Sequence, residues 1–153
     1  MELVINSCET LEHATDFYHD AMLYINKTSF DREKQKLSLI IERVRWDETK
    51  IHFNLIFFRI CSAPRIKSML LFEQVHSVKL HCIDTQLAAN GEPIDFINTI
   101  QYNHAEKKFE IRCVNGSEIE LFVAQLNCRF LDIPYSSGKT RFISLFGVKI
   151  GGQ

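Results

Sequence analysis

Between Lys36 and Val123 the chain repeats one arrangement: short runs rich in Ile, Val, Leu and Phe, each closed after a few residues by turn formers. Runs of this length and composition read as β-strands. Strands joined by short links are antiparallel neighbours, because a parallel return needs a long crossover, usually a helix. The pattern predicts seven strands, at 36–45, 51–61, 66–73, 75–82, 94–102, 107–114 and 118–123. The breaks are WDETK, SAPR, AANGEP, NHAEK and VNGSE. Of these, Asn115-Gly116 is the strongest hairpin signal, because a tight two-residue turn needs positive φ at both central positions. The run at 51–61 is apolar on both faces, so it should be central or covered by a helix. The run at 94–102 alternates, with Ile94, Phe96, Ile100 and Tyr102 on one side, until Ile97 and Asn98 interrupt it.

Two flanking regions change period. After a short extended piece, ELVI, residues 10–25 place Leu11, Ala14, Phe17, Ala21, Met22 and Ile25 at helical spacing, with Thr10 as N-cap. Beyond Val123, the positions Leu126, Phe130 and Leu131 predict a closing helix that stops near Pro134. The expected class is therefore α+β: about seven antiparallel strands in a pleckstrin-homology-like partly open barrel or strongly bent sheet, with an N-terminal and a C-terminal helix. Residues 1–134 form the expected single domain, and 135–153 a loosely held basic tail. That tail holds Lys139, Arg141 and Lys149 without an acid, so it carries +3 against −4 on the rest of a chain whose net charge is −1.

Near-neutral charge argues against a nucleic-acid partner, which would leave a strong basic excess. No stretch reaches the roughly 18 apolar residues of a membrane span, so no membrane partner is expected. The N-terminus also lacks a basic segment followed by a long apolar run, so no secretory signal is expected. Five cysteines, Cys8, Cys61, Cys82, Cys113 and Cys128, include no C-x-x-C pair and lie partly in apolar runs, as reduced thiols of a cytoplasmic protein would.

Chemical motifs are sparse. Gly138-Lys139-Thr140 resembles the close of a phosphate-binding loop, yet Ile133 stands where the first glycine must be and no βαβ unit surrounds it. His76 and His81 fall on opposite faces of one strand, and Cys82 beside His81 points the other way, so neither a metal site nor an activated thiol is expected there. No cofactor is implied. The most suggestive set is cationic and aromatic: Arg43, Arg45 and Trp46 at the end of the first strand, Arg59 on the second, and Arg65 with Lys67 at the start of the third. Such donors beside an aromatic face suit an anionic ligand or partner. The competing reading is cross-strand pairing with Glu42, Asp47, Glu48 and Glu73.

Several of these residues also form a recognisable series: Arg43, Trp46 and Asp47; Leu70, Phe72, Glu73, Val75 and Val78; Ile83 and Asp84; and Gly116, Ile119 and Leu121. In that series, over roughly residues 3–133, the chain resembles the DUF2948 family of small alphaproteobacterial proteins of unknown function. The resemblance implies a bacterial protein and carries no activity with it. The function expected from the residues is a non-catalytic module that binds a protein or a small anionic ligand through Arg43, Arg45, Trp46, Arg59 and Arg65. The alternative is a small enzyme whose site gathers Glu73, His76, His81 and Arg59 from separate strands. Twelve phenylalanines are enough to furnish a homodimer interface as well as a core.

Overall fold

The computed structural model describes the backbone of residues 1–54, 56, 58–145 and 148–151, and the side chains of these except at 53, 135–137, 140–145 and 148–151. It divides into two compact units: unit 1 comprises Met1–Arg43 and Ser68–Asp132, and unit 2 comprises Val44–Lys67 and Ile133–Gln153.

The chain opens with β1 (Glu2–Ile5), two short helices α1 (Cys8–His13) and α2 (Thr15–Tyr18), then β2 (Met22–Asp31) and β3 (Lys36–Val44). After a 3₁₀ turn at Trp46–Glu48 come β4 (Lys50–Asn54), the long β5 (Phe58–Phe72) and β6 (Val75–His81). A short helix α3 (Thr85–Ala89) precedes β7 (Asp95–Asn103), β8 (Lys108–Cys113), β9 (Glu118–Val123), β10 (Cys128–Leu145) and β11 (Val148–Gly151). The strand order is β1-β10-β5-β3-β2-β7-β8-β9-β6, with β4 also on β5 and β11 also on β10.

This corrects the expected fold class in three places. Among the described residues the chain is mostly antiparallel sheet, eleven strands with nine on a path from β1 to β6, rather than an α+β fold of about seven strands in a partly open barrel or strongly bent sheet. The expected C-terminal helix is absent: residues 128–131 are strand, paired with β1 from Ile5↔Cys128 to Glu2↔Leu131. Cys128 and Phe130 are both buried, a period of two that the helical spacing of Leu126 and Phe130 had masked. The expected four-turn N-terminal helix ends after Tyr18. There Asp20 takes a left-handed φ of 62° and donates its backbone N–H to Ile97 O at 2.8 Å. Asp tolerates that conformation better than most residues, and from Met22 onward pairing with β3 and β7 captures the chain as strand.

The helix that does form starts three residues earlier than expected. Ser7 caps α1 by accepting Thr10 N–H, and the Thr10 side chain accepts Ser7 N–H in return, a capping box. SAPR, expected as a break, lies inside β5. Pro64 has no N–H to give a ladder, but its carbonyl still accepts Arg45 N–H at 2.9 Å, so the strand passes through. The run expected as one strand at 51–61 is instead divided between β4 and β5, which pair with each other.

Strand β6, expected beside β5 because a two-residue link joins them, pairs instead with β9, whereas β3, β8 and β9 follow the sequence pattern. In β3 the positions Leu37, Leu39, Ile41 and Arg43 are buried and their neighbours are less so. The interruption at Ile97 and Asn98 is a register shift against β8 between Ile97 and Thr99. Across it the inward face moves from even to odd and back, so that Ile97 and Ile100 are both buried while Phe96 is 43% exposed. Gly116, at φ 96°, turns the chain between β8 and β9.

Unit 1 carries the main core. Phe72, Phe109 and Phe130 are fully buried with Leu23, Leu39, Ile41, Leu70, Ile111 and Leu121. Phe72 and Phe109 meet edge to face at 5.0 Å, and Tyr102 meets Phe109 at the same distance, within the range such ring pairs prefer. Unit 2 has a small cluster of Cys61 and Ala63 against Val44.

Candidate functional site

The residues proposed from the sequence fall in both units. Arg43 belongs to unit 1 and sits at the last inward position of β3, 7% exposed. Its Nη2 donates to both oxygens of Asp132 at 3.1 Å, and its guanidinium lies 5.5 Å from the rings of Phe17 and Phe130. Ser68 Oγ adds a hydrogen bond to Asp132 at 2.7 Å. Burial opposes ionisation of Asp132, yet Ser68 and Arg43 outweigh it and hold the carboxyl below its ordinary value. A cation so enclosed is committed to the fold.

Arg45, Trp46, Arg59 and Arg65 belong to unit 2. Arg45 grips Asp47 at 3.0 Å and Glu48 at 2.7 Å across the 3₁₀ turn, which presents Trp46 at 41% exposure. The bond from Arg45 N–H to Pro64 O brings this turn alongside Arg65, whose methylene stem crosses Gly138. Arg59 is exposed and donates to Asn54 across the β4–β5 pair. Six strand steps take Arg59 to Arg65, about 20 Å. The turn and β5 therefore present two cationic positions, with Ile51, Ile60 and Ile56 exposed at 53%, 37% and 90%.

Charge follows the division of the fold. Unit 2 has eight Lys and Arg against Asp47 and Glu48, a net +6, which leaves −7 on unit 1 within the overall −1. The linear sequence hides this, because unit 2 is assembled from two segments 65 residues apart.

Two members of the enzyme reading, Glu73 and His81, pair with other side chains, and His76 is exposed on β6. Glu73 accepts Lys36 at 3.1 Å, Asn127 at 3.1 Å and Arg129 at 3.3 Å, and the Lys36 bond foremost lowers its carboxyl. His81 meets Glu120 at 2.9 Å. Lys108 bridges Glu106, Glu110 and Glu120 on the outer face of β8 and β9, which raises its ammonium and lowers Glu120 to about 2. Among the described residues no group of three or more His, Cys, Asp and Glu is arranged to hold a metal. Gly138 and Lys139 lie within β10, so no helix N-terminus follows them to bind phosphate; the side chain of Thr140 lies outside the described residues. Among the described residues no helix is long and apolar enough to cross a membrane.

One pairing escaped the sequence reading altogether. Cys8 Sγ lies 3.1 Å from His104 Nε2, 96 residues away. Cys8 also lines a cleft of about 450 Å³ between the short helices and β7, together with Leu11, Glu12, Tyr18, Ile100 and Tyr102. The adjacent pair His81–Cys82, the conspicuous one in the sequence, is broken by Cys82's φ of 53° and by His81's bond to Glu120.

The DUF2948 family, described as a protein of unknown function, matches residues 1–142, and the chain belongs to it. No curated protein and no solved structure matches the chain.

Proposed function

We propose that this member of the DUF2948 family is a non-catalytic binding module that engages an acidic protein surface through unit 2. The observation that carries the reading is the partition of charge, +6 on unit 2 against −7 on unit 1, with Trp46, Ile51 and Ile60 exposed on the basic unit. Tryptophan and arginine are the side chains that most often dominate protein interfaces, and opposite charge speeds encounter and selects partners. Arg45, Trp46, Arg59 and Arg65 are the contact residues of this reading. Arg43, enclosed with Asp132, serves unit 1 instead.

The test uses the full chain and a fluorescein-labelled peptide that alternates Glu with Leu, followed by anisotropy at increasing salt. Binding that weakens with salt, and that falls tenfold or more in Arg59→Glu/Arg65→Glu and in Trp46→Ala, is the expected result. Equal binding of wild type and charge-reversed chain would remove the reading. Competition by millimolar inorganic phosphate as effective as the peptide would transfer the site to a small anionic ligand. Tighter binding of a DNA duplex than of the peptide would transfer it to nucleic acid.

A further inference from the structure

We propose that Cys8 and His104 form a thiol–imidazole pair that exchanges with small neutral or cationic disulfides seated in the adjacent cleft. This is a stoichiometric modification site on unit 1 and does not rest on the reading of unit 2. Each of the two side chains is held by its own neighbours. The Ser7–Thr10 capping box fixes the start of α1 and therefore the position of Cys8, its first residue. His104 opens the turn between β7 and β8, and its ring stands edge-on to Tyr102 at 4.9 Å and 89°. Tyr102 in turn packs on the fully buried Phe109, so the imidazole is braced against the core. The resulting Sγ–Nε2 distance is 3.1 Å.

An exposed thiol in contact with an imidazole has a base at hand, and the thiolate is the attacking species in disulfide exchange. Three of the other four thiols are buried, at Cys61, Cys113 and Cys128. Cys82 is exposed, but its neighbour His81 is turned to Glu120, which makes it an internal control. The step balances within the pair and its co-reactant. His104 takes the Cys8 proton, the Cys8 sulfur attacks one sulfur of R–S–S–R, and the departing R–S⁻ collects that proton. Cys8 is oxidised to the mixed disulfide and the second half of the reagent is reduced to R–SH.

The cleft sets the class of reagent. Leu11, Tyr18, Ile100 and Tyr102 offer apolar and aromatic wall, and Glu12 adds a carboxylate on a unit of net −7. An anionic disulfide meets repulsion there, and an amine-bearing one meets attraction.

The experiment incubates the folded full chain at neutral pH with cystamine or with 3,3′-dithiodipropionate and follows each cysteine by peptide mass spectrometry. Cys8 should react with cystamine at least tenfold faster than Cys82, and several-fold faster with cystamine than with the dicarboxylate. His104→Gln should bring Cys8 to within about twofold of Cys82. His104→Phe, which keeps a ring against Tyr102, should do the same and so separates the imidazole's chemistry from its packing. Equal rates at Cys8 and Cys82, or an unchanged Cys8 rate in both His104 variants, would overturn the pair. Equal rates with the two reagents would overturn the assigned ligand class.

Discussion

Replacing Asp132 with Asn tests whether the buried cation at the end of β3 is held by its counter-ion. In the wild type the Arg43 and Asp132 side chains are 8% and 9% exposed, joined by two bonds of 3.1 Å, and Ser68 adds a third bond to the carboxylate at 2.7 Å. The substitution keeps the shape and removes the charge, so a guanidinium packed against Phe17 and Phe130 is left without an anion. Removing one partner of a buried pair costs about 3–5 kcal/mol, far above the value of a surface pair. For a chain of 153 residues that corresponds to a fall in Tm of roughly 6–20 °C. Urea unfolding followed by far-UV circular dichroism reads the loss directly. The pH dependence gives a second check. Because the folded carboxyl lies below its ordinary value of 3.8, its stabilisation is complete above that pH and is lost as the pH falls through the lower folded value. Asp132→Asn should therefore be less stable at pH 7 and should approach the wild type in acid. A loss below about 0.5 kcal/mol, the scale of ordinary surface changes, would refute the claim that Asp132 holds the buried cation.

Three further outcomes follow from other parts of unit 1. Lys108→Met leaves Glu110 and Glu120 directly opposed across β8 and β9, so the urea midpoint should fall, with high salt reducing the difference. Glu120, lowered to about 2, should add stability that is full above its ordinary 4.5 and lost as pH falls toward 2, and the variant should lack much of that acid-dependent loss. Asp95, 3% exposed, accepts backbone N–H groups from Phe96, Asn115 and Ser117. Asp95→Ala should cost about 2–3 kcal/mol, with faster hydrogen exchange at the Asn115 and Ser117 amides marking the loosened turn. Phe109→Ala opens a cavity beside Phe72 and Tyr102 and should cost about 3–5 kcal/mol by chemical denaturation.

The sequence was most legible where a short-range pattern met a short link. The period-two runs of β3, β8 and β9 and the turn at Asn115-Gly116 lie where the residues place them, because neighbouring strands need only local turn chemistry to find each other. The members of the DUF2948 series have comparable local roles. Leu70, Phe72, Val75, Ile119 and Leu121 are core, Asp84 caps α3 and Gly116 turns the chain. Legibility failed in regions of mixed period. Leu11, Ala14 and Phe17 suit a helix, but the same spacing carried on to Met22 and Ile25 describes residues of β2, where Met22 pairs with β3 and Ile25 lies in a register shift. Leu126, Phe130 and Leu131 suit a helix equally well until β1 offers a partner strand.

By itself, then, the sequence determined an antiparallel β-rich chain and the strands β7, β8 and β9 with their links, through residue periodicity and turn preference, and its family, through the Arg43 to Leu121 series. Tertiary structure decided what depends on distant segments meeting. It turned β2 and the start of β10 into strand where the spacing suggested helix, gave Arg43 to Asp132, and joined residues 44–67 to 133–153 so that basic charge gathers in one unit. It also placed Cys8 against His104. The physical reason is common to all four: hydrogen bonding between strands and pairing of charges act through space, and the order of residues along the chain does not record which segments will lie side by side.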